Sequence, residues 1–202
     1  KVTQRIVDLQ SAMSIFHSAL TTEDYEVPEG HYEEEQMKQT VVPNRNAIFA
    51  SILYGYALSI ATKQDESVKI GLGVHSGDHE IYPDCRPEFY EALEHAFQVG
   101  NWDSEKVSFY LPYLEGDKET ILVDAEKSLE KLNLDFDTIF ANTNTSYNPD
   151  KEGRSSGKSG ADIERILAFN AIGRKDPVPY VDDWSKVLEH AIKIEKEHKE
   201  KI

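Results

Sequence analysis

Two mostly apolar runs, SVKIGLGV at 67–74 and KVSFYLPYL at 106–114, are each followed by a stretch with helical spacing. A strand with so little polar relief needs cover on both faces, which suits a central place in a parallel sheet. The helical stretches supply that cover. RPEFYEALEHAFQVG at 86–100 has proline in its first turn and ends on glycine, and KETILVDAEKSLEKLNL follows at 118–134. Alternating strand and helix predicts an α/β fold with a parallel sheet, whose ligands sit beyond the carboxyl ends of the strands. The 202 residues, 39% apolar, are enough for one sizeable core, so 1–202 is expected to form a single domain ending in a connector and helical extension over 174–202.

The remaining segments fill in around this frame. QRIVDL at 4–9 suits a short buried strand, and 21–40, polar, acidic and broken by Pro28 and Gly30, suits a long loop or lid. NAIFASILYGYALSIAT at 46–62 is apolar at nearly every helical position, which predicts a helix buried on most sides. DTIFANT at 137–143 reads as a short strand or turn, 148–161 as a small polar loop, and DIERILAFNAIG as a helix ending at Gly173. The amphipathic segment 184–202 ends in almost wholly charged turns, expected to fray. KVTQRIVDL resembles the end of an element more than a beginning, so a segment before Lys1 is expected.

Charge and cysteine use exclude several functions. With 37 acids against 22 bases the net charge is −15, and no basic cluster lies outside the helical tail, which argues against nucleic acid as a partner. One cysteine, Cys85, excludes an internal disulfide framework, and no apolar run is long enough to imply a membrane; cytoplasm is the expected compartment.

Three stretches hold chemistry-bearing groups. In VVPNRNAIFAS, 41–51, a proline-set turn with Asn44, Arg45 and Asn46 precedes a helix; its N–H groups and guanidinium suit a nucleotide, or simply cap the helix beside a surface arginine. GVHSGDHEIYPDCRPEF, 73–89, sets Asp78, Asp84 and Glu88 as acceptors, Arg86 as a planar donor and Tyr82 and Phe89 as stacking surfaces at the end of a strand. A carboxylate there accepts the two N–H groups of a guanine-type edge while arginine pairs with a carboxylate; a salt-bridged loop capping the next helix is the plain alternative. Cys85 reads as a buried thiol, and His75 and His79 lack a clear third zinc ligand. Lys118 falls in the first turn of a helix, where it opposes the macrodipole unless an anion lies nearby; a solvated lysine is the plainer reading.

RIVDL, VPNRNAIFAS, IGLGV, YPDCRPEFYEA, PYLEGDKETI, ERILAF and DPVPY, in this order, resemble the 7-cyano-7-deazaguanine synthases, the QueC family of PP-loop adenylating enzymes. The resemblance covers nearly the whole chain. It implies a three-layer α/β/α fold with a central parallel sheet. The implied enzyme uses ATP and Mg²⁺ to activate the carboxylate of 7-carboxy-7-deazaguanine for attack by ammonia, giving an amide and then, after a second activation, a nitrile. Carried over by motif, Pro43, Asn44, Arg45, Asn46 and Gly73 fall on the ATP side and Asp78, Tyr82, Asp84, Arg86, Glu88 and Phe89 on the deazaguanine side, with Lys118 and Arg86 in catalysis. A homodimer is also implied, through the apolar helix at 46–62 or the carboxyl-terminal helix.

The chain departs from this pattern in three places. The family's serine- and glycine-rich PP-loop is expected before Lys1, and without it residues 1–202 are not expected to hydrolyse ATP. The family's four zinc cysteines align with Ser146, Ser156, Ser159 and Asp162, so no zinc is expected. Glu80 and Ile81 replace small residues and His75 an asparagine, changes that suggest a diverged member. Two alternatives follow: transfer of the deazaguanine to a protein amine, or a non-catalytic deazaguanine- or nucleotide-binding subunit.

Overall fold

The structure, a computed structural model, describes residues 2–22, 26–79 and 81–201, without the side chain of Asp78. After the four-residue helix α1 (Gln10–Met13), the chain runs through α2 (Arg45–Gln64), β1 (Val68–Gly71), α3 (Pro87–Gly100), β2 (Val107–Tyr110), α4 (Lys118–Leu132), α5 (Phe136–Phe140), α6 (Gly160–Ala171) and α7 (Trp184–Lys199). β1 and β2 pair in parallel, Val68 opposite Val107 and Gly71 opposite Tyr110, with α3 as the crossover. The predicted α/β class with a parallel sheet is therefore present, as a two-stranded sheet among the described residues.

Local chemistry explains the helix boundaries. Pro87 opens α3, where a missing N–H costs nothing. Asp117 caps α4, its Oδ1 accepting from the Thr120 N–H at 2.7 Å, and Asn133 closes that helix in the left-handed region at φ 52°. α6 begins with a capping box between Ser159 and Asp162.

α2 lays Tyr54, Ala57 and Ala61 against the sheet, where they meet Ile70 and Val107 with Phe97 and Phe109 alongside. A second core joins α4, α5 and α6 through Leu122, Phe136, Ala168 and Phe169, and a third joins α6 to α7 through Ile163, Ile166, Val187 and Ala191. Tyr32, Met37, Ile81, Tyr82 and Cys85 form a fourth, beneath the 29–40 segment.

Five expectations are corrected. Residues 4–9 form no strand: Ile6 and Val7 are exposed and no strand among the described residues pairs with them. The loop expected at 21–40 contains a 3-10 helix, Glu35–Thr40, anchored by buried Met37 and Thr40. α2 is not buried on most sides; Phe49, Ile52, Leu53 and Tyr56 face outward. Residues 136–140 are helical, because Asp135 caps them by accepting from the Thr138 N–H and Phe136 packs into the second core. The carboxyl-terminal turns, expected to fray, are helical to Lys199 and tied to the 33–34 segment: His198 bonds Glu33 at 3.0 Å and Lys201 bonds Glu34 at 3.0 Å. No helix of the described residues is long and apolar enough to cross a membrane.

Candidate active site at the carboxyl ends of the strands

The two strands end in loops that hold each other. Ser76, in the short 3-10 turn after β1, sends both its N–H (2.8 Å) and its hydroxyl (2.5 Å) to the carbonyl of Gly116 after β2. Beyond this junction lies a cavity of about 680 Å³, lined by Tyr32, Gly77, Asp117, Lys118, Glu164 and His198 among others.

Lys118, the first residue of α4, reaches into it. Its ammonium pairs with Glu164 of α6, lies 3.3 Å from His75 Nε2 and sits 5.5 Å from the centre of the Tyr32 ring. The anion that a lysine at this end of a helix calls for is thus supplied by the chain itself. His75 completes the group, its Nδ1 3.7 Å from Glu164 Oε1. Gly77 makes the approach possible, since a Cβ there would stand 2.6 Å from Glu164 Oε1 and 3.1 Å from the His75 ring. Next to Lys118, hydrogen bonds from the Thr120 backbone hold the Asp117 carboxyl below its ordinary range.

The stretch 73–89 and the stretch 41–51 meet directly. Asn46 Nδ2 donates to the Asp84 carbonyl and to Cys85 Sγ, both at 3.4 Å, and Arg45 Nε donates to Asn46 Oδ1 at 3.2 Å. Pro43 and Asn44 are exposed, with Asn44 left-handed at φ 60° just before α2. Gly73 is exposed on the loop leaving β1. Tyr82 is buried in the core with its hydroxyl 2.5 Å from Thr40 Oγ1, so it is a support beneath the site instead of an open stacking surface. Phe89 packs edge-on against Tyr90. Arg86 is exposed and donates through Nε to the His79 carbonyl at 2.7 Å, and Glu88 is exposed beside it. Asp84 Oδ1 and His79 Nε2 are buried without hydrogen-bond partners among the described residues. The side chain of Asp78 and all of Glu80 lie outside the described residues.

Of the residues singled out from sequence, Lys118 lines the cavity, while Tyr82 and Cys85 lie in the core cluster that includes the lining residue Tyr32. Glu164 was missed as a partner: it stands in ERILAF, but its contact with Lys118 spans 46 positions and has no local signal. The rim of His31, Glu33, Glu195 and His198 was also missed. The rings of His31 and His198 stack at 3.6 Å, and ligand atoms of His31, Glu33 and His198 lie within 4.8 Å of one another. His31 Nε2 pairs with Glu195 at 2.9 Å and His198 Nε2 with Glu33 at 3.0 Å, and the two ring planes are nearly parallel, 8° apart. Burial pushes the Glu195 carboxyl up, but hydrogen bonds from Lys199 and His31 outweigh it and leave that group below its ordinary range.

The family model described as "Queuosine biosynthesis protein QueC" matches residues 1–173. The chain belongs to the QueC family. It is 41% identical over 179 residues to a 7-cyano-7-deazaguanine synthase of Marinomonas sp. (strain MWYL1), covering 89% of this chain and 74% of the relative. It is 43% identical over 180 residues to 7-cyano-7-deazaguanine synthase 2 of Colwellia psychrerythraea, covering 89% and 74%. A Caldicellulosiruptor saccharolyticus synthase is 39% identical over 188 residues, 92% of this chain and 76% of the relative. No solved structure matches the chain significantly. The QueC match spans every element from β1 to α6, and with them Lys118, Glu164 and the 73–89 stretch.

Proposed function

We propose that the chain is an ATP-dependent carbon–nitrogen ligase that activates the carboxylate of 7-carboxy-7-deazaguanine for attack by ammonia and carries the amide on to 7-cyano-7-deazaguanine. The observation that carries the reading is Lys118, a cation lining the cavity at the carboxyl ends of parallel strands in a chain about 40% identical to synthases of that name. In this reading ATP phosphates exchange with Glu164 for Lys118, which offsets charge developing as the phosphates leave. Asp117 and Glu164 offer the hard carboxylate oxygens that Mg²⁺ takes, and the ion would further neutralise the phosphates.

The orphaned Asp84 Oδ1 and His79 Nε2 support a heterocycle held by the 73–89 stretch, with Arg86 free to turn its remaining N–H groups to a substrate carboxylate. Pro43, Asn44, Arg45, Asn46 and Gly73 take the ATP side and Tyr82, Glu88 and Phe89 shape the deazaguanine side. The sheet belongs to a three-layer α/β/α domain of PP-loop type, and the outward apolar face of α2 serves a homodimer.

The test supplies the full-length protein with ATP, Mg²⁺, 7-carboxy-7-deazaguanine and ammonia and follows AMP and nitrile by mass spectrometry. Both are expected together. Absence of AMP and nitrile overturns the reading, and a deazaguanine adduct on a protein amine without nitrile replaces it with conjugation.

A further inference from the structure

The positions that align with zinc cysteines in the resemblance, Ser146, Ser156, Ser159 and Asp162, still converge on one point, and that point is an oxygen atom. Asp162 Oδ2 accepts from the hydroxyls of Ser146 (3.0 Å), Ser156 (2.8 Å) and Ser159 (2.9 Å) and from the backbone N–H groups of Gly157 (3.1 Å) and Ser159 (3.3 Å). Asp162 is wholly buried, and its other oxygen has no partner among the described residues. Each serine hydroxyl also accepts a backbone N–H: that of Ser156 goes to Ser146, that of Lys158 to Ser156 and that of Asp162 to Ser159. The hydroxyl hydrogens are thereby aimed inward.

This arrangement does not fit zinc. Zinc wants thiolate, imidazole or carboxylate lone pairs in a tetrahedron, and neutral hydroxyls are poor substitutes. Here the three hydroxyls and two N–H groups present protons to the centre, and a cation placed there would face five positive dipole ends. We infer that the Asp162 carboxylate takes the place of the metal as the centre of this knot: an anion ringed by donors replaces a cation ringed by anionic ligands.

The local sequence builds the knot in steps. Asn144 Oδ1 accepts from the Ser146 N–H at 2.8 Å and the Ser155 hydroxyl at 3.2 Å, which holds the two arms of the loop together. Gly157 turns at φ 75°, a left-handed conformation that points its N–H at Asp162; a Cβ there would also strike Val187 Cγ1 at 2.7 Å. Ser159 then caps α6, and Asp162, in the first turn, places its negative charge at the positive end of the helix. α6 is the element that carries Glu164 to Lys118. The knot therefore sets where the lysine's counter-ion stands, two residues beyond its centre, without any metal.

The experiment uses the full-length protein from cells grown with added zinc. Metal content is measured by plasma mass spectrometry and the melting midpoint with and without a strong chelator. The expected result is no stoichiometric zinc, calcium or magnesium and one midpoint in both conditions. A zinc ion retained in one-to-one ratio, or a midpoint that falls on chelation, overturns the inference. Asp162→Asn keeps the shape and removes the charge, and its midpoint is expected to fall clearly below that of the parent; an unchanged midpoint also overturns the inference. Should that variant not fold, Ser146→Ala removes a single donor, and its midpoint is expected to fall by a smaller, measurable amount, with no change as the refuting result.

Discussion

The pairing of Arg165 with Asp176 ties the end of the chain to its middle, and removing the carboxylate tests how much. Arg165 Nε donates to Asp176 Oδ2 at 2.6 Å and Nη2 to Oδ1 at 2.9 Å, and the two side chains are 7% and 0% exposed. The carboxylate also accepts the Tyr180 hydroxyl at 2.8 Å and the Val178 N–H at 3.2 Å. Burial, with Asp176 beside it, pushes the Tyr180 phenol up. In Asp176→Ala the guanidinium keeps only neutral acceptors, Thr143 Oγ1 at 2.9 Å and the Phe140 carbonyl at 3.4 Å. Breaking one side of a buried pair costs about 3–5 kcal/mol. The two stranded donors add about 1 kcal/mol each, so the total is about 5–7 kcal/mol. That is a large part of the roughly 5–15 kcal/mol that holds a domain together, and at about 2–4 °C per kcal/mol for a chain of this size it is a fall on the order of 10–28 °C. The measurement is guanidinium unfolding followed by circular dichroism. The double variant Arg165→Met with Asp176→Leu removes both charges, and is expected to recover most of the loss. Asp176→Ala within about 1 kcal/mol of the parent, or a double variant that loses as much as Asp176→Ala, refutes the reasoning.

Three further outcomes follow. Lys118→Met is expected to lower AMP release by about 10²–10³-fold, the usual scale for a lost electrostatic contact at a reacting group, while the circular dichroism spectrum stays that of the parent. Gly77→Ala forces the Glu164 carboxylate or the His75 ring aside; it is expected to lower AMP release more than it lowers the melting midpoint, which a paired activity and melting series reads. Asp117 has its folded value lowered, so its stabilising share is full at neutral pH and above the ordinary carboxylate range, and is lost as pH falls through that lowered value. Asp117→Asn should therefore narrow the difference between neutral and acid unfolding midpoints, and Asp117→Ala should cost about 1 kcal/mol through the lost cap.

Boundary residues made the start of α3 and the end of α6 legible, because Pro87 and Gly173 act within a turn of where they stand; Asp117 and Ser159 cap α4 and α6 by the same local chemistry but were not read as caps. The same local logic was available for α5, where Asp135 and Thr138 form a cap, but a five-residue helix has too little periodicity to show. Composition misled at α2 and at 4–9: apolar side chains state what a segment can bury, and partners decide what it does bury. The site divides in the same way. Lys118 stood out because a lysine at a helix amino terminus conflicts with the peptide dipoles, a conflict visible in one turn. Glu164, Gly77 and the His31–His198 stack owe their roles to contacts between distant segments, for which no spacing rule exists.

The rim of the cavity also bears on the order in which the molecule is finished. The bonds His31–Glu195, Glu33–His198 and Glu34–Lys201 join positions 164, 165 and 167 residues apart. Closing so long a loop is deferred until other contacts have shortened it. On the ribosome, His31, Glu33 and Glu34 lack these partners until α7 has cleared the exit tunnel, although Tyr32 between them packs earlier in its own cluster. A released chain ending at residue 190 would keep the sheet and every helix through α6 and still lack Glu195, His198 and Lys199 from one wall of the chamber.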